Sequence, residues 1–484
     1  MLDDGELIIE NSENIIHMSA YGIDSFNPLR TRSESAAQML SLVYEPLFYH
    51  SADLRPKSGL AERVEISGDR MSATVFLTGG AVWQDGSPLC AEDVVYTINE
   101  IKGGASLYKH NVAYIASAEA DGEAAVRLSL YEPVMNIEGY LSFPVIKNGS
   151  SDAIEETPDG TGAFRVAEKS ASRLYLVPNE KYRGKSGSVS AVNIRLMRSA
   201  LSCENAFEAN ELDVITSGEV DLGQKTPGGD ITIRNYASNR FTFLGFNNTL
   251  DKYSQPYLRQ AIAEIIERDK LIESALYGRA VPCVAPVNPS AWFYKEADGP
   301  ELDIRGTMQR AGYSYNDSVY TDGQGKQVEV SVLVSIENAR RIAVAELIAA
   351  QLKYAGINAN VEQVSFEEYS GRIKAKNYDM FLGEITMEDN LDPGQLTKEG
   401  NYFGFNNSEL LDAAYALRFC SDDEALAAAM LAYEQIFFSN PPFVPLYYGT
   451  DGVVYKKQLS GTEEPNFYNS LAGLEMWYFR ASAE

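Results

Sequence analysis

Apolar and polar positions alternate over Ile15–Tyr21 and again over residues 74–78, which predicts strands. From residue 33 to 48, Ala37, Leu40, Val43, Tyr44 and Leu47 recur at every third or fourth position, which predicts one helix. Asn27-Pro28 and Asp85-Gly86 read as turns. Residues 91–101 predict a helix that begins with Glu92 and Asp93, where the helix dipole favours acids. Short strands are expected at 174–177, 192–197 and 213–216, and a helix at 201–210.

The texture changes near residue 240. A polar loop at 225–230 precedes two expected strands, 231–236 and 241–247. A strongly amphipathic helix follows, with Leu258, Ile262, Ile265, Ile272 and Leu276 on one face. Pro282, Pro286, Pro289 and Pro300 mark a long irregular stretch. Strand 328–335, helix 338–355 closed by Gly356, and strand 357–364 then form a β-α-β unit. Such a unit implies parallel pairing and a right-handed crossover, hence an α/β sheet. No internal repeat or low-complexity segment interrupts the pattern.

At 484 residues, the chain is long enough for two or more lobes with sizeable cores. Its 41 basic and 68 acidic side chains leave a formal charge of −27. That balance argues against nucleic acid and against an anionic membrane surface, both of which need a basic face. No apolar run approaches the roughly 20 residues of a membrane helix. Cys90, Cys203, Cys283 and Cys420 are scattered without a CxxC pair, so they form neither a disulfide scaffold nor a zinc pattern. The opening residues are acidic and lack the features of a signal peptide, which leaves a cytosolic protein or one whose export segment has been removed.

No reaction is legible. His17, His50 and His110 stand apart, and no nucleophile elbow, Walker loop or dinucleotide fingerprint precedes a helix. Gly223 and Gly228-Gly229 lack the Lys-Ser/Thr of a phosphate cradle, and Glu367-Glu368 and Asp422-Asp423 read as solvated helix ends. The 29 tyrosines are more suggestive, with aromatic clusters at Trp292-Phe293-Tyr294, Tyr402-Phe403 and Tyr447-Tyr448. Tyrosine covers apolar surface while offering a hydroxyl, which suits a site that accepts varied side chains.

Several stretches carry a family signature. Tyr44-Glu45-Pro46-Leu47, Leu60-Ala61-Glu62, Trp83-Gln84-Asp85-Gly86 and Ala91-Glu92-Asp93-Val94 resemble the extracytoplasmic solute-binding proteins of family 5, the peptide- and nickel-type receptors of ABC importers. Cys90 stands where the family usually has a hydroxyl residue able to cap the next helix, so a weaker cap is expected. The likeness continues in family order through residues 160–184, 243–280, 343–361, 378–384 and 440–450. It implies an α/β fold: a two-lobe, periplasmic-binding-protein-like clamshell of class II, the large peptide-receptor type with an extra subdomain. The implied division is 1–45 first-lobe core, 46–159 extra subdomain, 160–242 core return, 243–447 second lobe and 448–484 final return. Strands near 241–247 and 445–448 would be the hinge crossings, with ligand enclosed at the cleft.

The resemblance also implies a site. In peptide-binding members an Asp of the second lobe takes the ligand's α-ammonium. Its counterpart here is Asp389, anchored by Asp392-Pro393, with Glu388 as competitor; the tryptophan often found upstream is absent, and Glu384 and Thr386 lie nearby instead. Arg32 and Ser33 align with a first-lobe ligand loop, and a guanidinium fork suits a peptide carboxylate. Tyr447 or Tyr448 would be a cleft tyrosine. The expected function is an importer receptor for short peptides, delivering them to ABC permease transmembrane subunits, with no catalysis, metal or other cofactor. A monomer is expected, either a cell-surface lipoprotein or periplasmic, without nucleic acid. The alternatives are a receptor for chelated nickel or an opine-like ligand, and a hydrolase with two acids converging in one pocket.

Overall fold

The computed structural model describes residues 14–185, 187–216, 231–295, 303–462 and 464–480. The opening segment through residue 13, Gly223, the loop expected at 225–230 and Pro300 lie outside them. The chain forms two compact units, one containing residues up to Tyr236 and from Asp451 onward, the other Ala237–Thr450.

In the first unit, β1 (Ile15–Tyr21) is the strand expected, buried at Ile16 and from Met18 to Ala20. A small antiparallel sheet comes next along the chain: β2 (Ala61–Ile66), β3 (Ser72–Leu77), β4 (Ile115–Ala120) and β5 (Ala125–Leu130), in the order β2-β3-β5-β4. Then β6 (Phe164–Lys169), β7 (Arg173–Pro178), β8 (Ala191–Met197) and β9 (Val214–Thr216) complete the main sheet of this unit. Its order is β9-β1-β8-β7-β6, with β1 parallel to both β8 and β9.

The helix expected over 33–48 is only α1 (Glu34–Leu40). Beyond it the carbonyls of Leu42 and Val43 accept from the amides of Phe164 (3.1 Å) and Gly162 (2.8 Å), so tertiary pairing takes the groups a longer helix would use. Leu42, Val43, Tyr44 and Leu47 are still buried, which explains the misleading period. Gly160 and Gly162 permit this approach: a Cβ at Gly160 would stand 2.0 Å from the Val43 carbonyl oxygen.

Helix α2 (Ala91–Gly103) begins as expected, and Asp93 explains why the two motifs around it belong together. Buried to 3% exposure, its carboxylate accepts from the Trp83 indole (3.2 Å), the Cys90 amide (2.9 Å) and the Asn148 amide (2.7 Å). Helix start, Trp-Gln-Asp-Gly turn and the 148 loop are thus tied to one acid. Gly86 sits at φ +91 and donates its amide to the Trp83 carbonyl, closing that turn. Helix α3 (Ala200–Glu208) follows β8.

The strands expected at 231–236 and 241–247 are one continuous strand, β10 (Ile231–Phe246). The polar Ser238-Asn239 step inside it is buried, and Ser238 is satisfied by donating its hydroxyl to the Gly449 carbonyl at 2.8 Å. The amphipathic helix is likewise two, α4 (Pro256–Ile265) and α5 (Arg268–Leu276). Between them the Glu267 amide and carbonyl bond to the side-chain amide of Gln351, which replaces the helical partners lost at the break.

In the second unit, β11 (Glu329–Ser335), α6 (Ala339–Tyr354) and β12 (Asn358–Val364) realise the β-α-β unit, with parallel register from Glu329↔Asn358 to Ser335↔Val364. Asn338 caps α6 by accepting from the Arg341 amide at 3.1 Å. Gly356 ends it at φ +98, where a Cβ would also meet the Ser318 carbonyl oxygen at 2.8 Å. Strand β13 (Met380–Thr386) is parallel to β11 and antiparallel to β10. Finally β14 (Phe443–Lys456) returns the chain to the first unit, pairing antiparallel with β9. The second unit's sheet runs β12-β11-β13-β10-β14. All four cysteines are free.

Replacing Asp93 by Ala strands three donors, two of them backbone amides, and should cost about 3–5 kcal/mol of stability. Cys90→Ser supplies the missing hydroxyl cap and should gain about 0.5 kcal/mol. Urea titration followed by tryptophan fluorescence should show the first midpoint falling in Asp93→Ala and rising slightly in Cys90→Ser, at unchanged slope.

Candidate ligand-binding site

Parallel strands end in loops that cannot be tight hairpins, and in open α/β sheets ligands gather at those carboxyl ends. In the first unit the loop after β1 runs from Gly22 to Ser33. Asn27 anchors it, buried, donating to the Ser151 carbonyl (2.7 Å) and accepting from the Leu29 amide (2.9 Å). Asp24 accepts from the Thr31 hydroxyl (2.5 Å) and the Arg32 amide (2.8 Å). Desolvation pushes the Asp24 carboxyl up, but bonds from Thr31, Arg32 and Ser33 outweigh it and hold it below the usual carboxylate range.

Ser33 is the N-cap of α1: its hydroxyl accepts from the Ala36 amide (3.2 Å) and donates to the Tyr21 carbonyl (3.1 Å). Arg32 is exposed. Both line a cavity of about 450 Å³ at the ends of β1 and β9, whose described lining residues all belong to this unit. Asp24, Glu34 and Asp451 contribute carboxylates to its wall, and Tyr21, Tyr236 and Phe467 contribute rings.

In the second unit the corresponding end of β13 carries Glu384. It takes an ion pair from Arg341 (2.5 Å), in the first turn of α6, and accepts from the Thr242 hydroxyl (3.3 Å), its register partner on β10. The loop beyond is held by the Met387 amide on the Asn239 carbonyl (2.9 Å) and the Glu388 amide on the Gln395 side chain (2.9 Å). Asp392 is its main anchor. It accepts from the Gly394 amide (2.7 Å) and pairs with Arg418 (3.0 Å), just past α7 (Ser408–Leu417). Burial pushes the Asp392 carboxyl above its ordinary range, and the Arg418 guanidinium only partly offsets this.

The loop so clamped leaves Asp389 buried, 6% exposed, and Glu388 half-buried. On β14, Tyr447 and Tyr448 point to opposite faces, as neighbours in a strand must. Tyr448 is fully buried and its ring lies 5.1 Å from Phe241. Tyr447 belongs with Thr242, Glu384 and Arg341; burial pushes its hydroxyl up to about 12, Thr242 opposing. Arg32 and Ser33 therefore share one unit, and Glu388, Asp389, Tyr447 and Tyr448 the other. The histidines are dispersed: His50 stacks on Tyr468 at 3.7 Å, His17 meets the Asn193 side chain at 3.0 Å and His110 the Leu107 carbonyl at 3.1 Å. Among the described residues no three His, Cys, Asp or Glu converge on a metal position, and no helix is long and apolar enough to cross a membrane.

A family model described as bacterial extracellular solute-binding proteins, family 5 middle, matches residues 55–402, well over half of the chain. The chain belongs to this family. The oligopeptide-binding protein AppA of Bacillus subtilis is 22% identical, covering 94% of this chain and 89% of its own. A putative ABC transporter peptide-binding protein of Brucella ovis is 28% identical over 53% of this chain and 51% of its own. Among solved structures, MppA, a periplasmic murein tripeptide binding protein in its unliganded open form, superposes with a TM-score of 0.85 at 18% identity, over 98% of this chain and 99% of that one. A nickel ABC transporter from Bacillus halodurans gives 0.81 at 18% identity, over 96% and 100%. The two-lobe α/β fold expected from the motifs is the fold these proteins share, and the family is one of solute receptors rather than enzymes.

For this family 5 protein, sequence reasoning named Arg32 and Ser33, in a matched loop that runs from Arg30 to Glu34, but missed Asp24, Tyr236, Asp451 and Phe467, which share their cavity. Asp451 and Phe467 come from the far end of the chain, and no local pattern links them. It noted Glu384 but not its partner Arg341, although the N-terminal turn after a parallel strand is where such a partner is sought.

The Asp392–Arg418 anchor is testable by itself. Arg418→Met leaves a carboxylate buried without its cation and should cost about 3–5 kcal/mol, while adding Asp392→Asn should restore part of it. In the single variant, the folded carboxyl binds a proton more readily than the unfolded one, so stability should rise as pH falls from neutral toward about 4. Thermal unfolding across that range checks both.

Proposed function

We propose that this solute-binding protein is the receptor of an ABC importer for short peptides, and that Asp389 takes the free amino terminus of the bound peptide. The observation that carries the reading is the burial of Asp389 in a loop fixed by Asp392–Arg418 at the carboxyl end of β13. A desolvated carboxylate there gains most from a ligand ammonium, because a charge-assisted hydrogen bond in low dielectric is strong. The match to an oligopeptide-binding protein over 94% of the chain supports a peptide as ligand.

Glu388, less buried, is the neighbouring candidate. Of the two tyrosines, Tyr447 is our assignment as a ligand contact, since Tyr448 is packed against Phe241. Arg32 and Ser33 are proposed as first-unit contacts, Ser33 through the backbone it holds at the start of α1. Residues 46–159 are proposed as the extra subdomain. Delivery to permease transmembrane subunits, a monomeric state and anchoring as a lipoprotein or residence in a periplasm belong to the same reading. The family itself is extracellular.

Asp389→Asn should weaken a free-amine peptide by about 30-fold or more, because truncating one partner of a buried charge pair costs roughly 2–5 kcal/mol. N-acetylation of the peptide should cost wild type a similar factor, and both changes together should be less than additive. Titration calorimetry on this four-way cycle is the measurement. Normal binding by Asp389→Asn with loss in Glu388→Gln moves the assignment to Glu388. Equal binding of acetylated peptide by every variant contradicts amino-terminal recognition and favours a non-peptide ligand such as a nickel chelate.

A further inference from the structure

Asn148 is followed by Gly149, the one Asn-Gly step in the sequence. The pair forms the tip of a turn in which the Lys147 carbonyl accepts from the Ser150 amide (3.0 Å) and the Ser150 hydroxyl (2.7 Å). Gly149 sits at φ +75, where glycine is at ease and a side chain is strained. Both residues are exposed, and a Cβ built on Gly149 would meet nothing within 4 Å. Among the described residues neither the Asn148 side chain nor the Gly149 amide takes part in a hydrogen bond.

We propose that Asn148 is a site of spontaneous covalent modification, deamidation through a cyclic imide, and that the modification is coupled to the ligand loop after β1. The inference does not depend on what the ligand is.

The Gly149 nitrogen attacks Cγ of the Asn148 side chain. The Gly149 N–Cγ bond forms, the Cγ–Nδ2 bond breaks, and Nδ2 leaves as ammonia together with the amide proton of Gly149. Water then opens the five-membered imide at either carbonyl, giving aspartate or isoaspartate. Glycine has no Cβ to shield the attacking nitrogen, and no structural hydrogen bond has to be broken to free it. The two described Asn-Ser steps lack this freedom. The side-chain oxygens of Asn407 and Asn469 accept from the amides of Leu410 (2.8 Å) and Leu471 (3.0 Å).

The coupling comes from what flanks the turn. On one side the Asn148 amide donates to the buried Asp93 carboxylate at 2.7 Å. On the other the Ser151 carbonyl accepts at 2.7 Å from Asn27, the anchor of the loop that carries Arg32 and Ser33. Isoaspartate runs the main chain through Cβ and Cγ of residue 148, which inserts one extra carbon between these two fixed points. The added length either opens the turn between Lys147 and Ser150 or moves Ser151 away from Asn27.

The test holds intact wild type, folded, in mildly alkaline buffer and maps it by peptide mass spectrometry with fragmentation that separates isoaspartate from aspartate. Asn148 should convert at least about tenfold faster than Asn407 or Asn469, because only its neighbour is glycine. Asn148→Gln, whose longer side chain disfavours ring closure, should leave that peptide unconverted. Conversion no faster than at Asn407 or Asn469, or seen only after unfolding in urea, overturns the site. For the coupling, hydrogen exchange over residues 22–33 should be at least about threefold faster in the separated isoaspartate fraction than in fresh protein. Freshly purified Asn148→Asp has the charge without the extra carbon and should match fresh wild type. Unchanged exchange in the isoaspartate fraction overturns the coupling, and equally fast exchange in Asn148→Asp assigns the effect to charge and overturns the backbone argument.

Discussion

A strand that must lie parallel to its neighbour cannot return through a two-residue turn, and this constraint places most of the candidate ligand contacts. The polypeptide has to leave the carboxyl end of β1, β11 and β13 through a loop, and those loops are where the polar side chains collect. Asp24, Arg32 and Ser33 follow β1, Arg341 follows β11, and Glu384, Glu388 and Asp389 end or follow β13. The rest of each unit serves to hold these ends still. Sheet faces buried on both sides, such as the Phe241, Phe243 and Phe443 cluster, supply the rigidity that a ligand site needs.

Rigidity in the loops comes from buried polar anchors rather than from apolar packing. Asn27 fixes the first-unit loop through Ser151 and Leu29, Asp93 gathers a turn, a helix start and a distant amide, and Asp392 pins its loop through Arg418. A buried carboxylate is costly unless fully paired, so each anchor commits its segment to one geometry. That cost is spent where geometry matters for a ligand or for the motif that frames it. Asp389 lies buried in the same loop, three residues before Asp392.

Much of this was legible in the sequence. The β-α-β unit over β11, α6 and β12 followed from period and from the Gly356 stop, and the family motifs marked the turn at Asp85-Gly86 and helix α2. Failures have physical causes. Leu42 to Leu47 carry a helical period, but the Leu42 and Val43 carbonyls pair with Phe164 and Gly162, a contact over a hundred residues away in sequence. The two strands expected over 231–247 are one strand, in which the buried Ser238 finds the Gly449 carbonyl. The cavity is the clearest case: Asp24 and Asp451 share a wall only through the folding of both chain ends into one unit, and no one-dimensional pattern carries that.

The central claim, that the chain captures a short peptide and leaves it unchanged, is tested most directly by native mass spectrometry of freshly purified protein, followed by release of the bound species under denaturing conditions. The account predicts bound masses that fragment into amino-acid residues with free amino termini, present at the same mass after prolonged incubation with the protein. A released species with the isotope pattern of a metal chelate, or peptides that shorten during incubation, would contradict it.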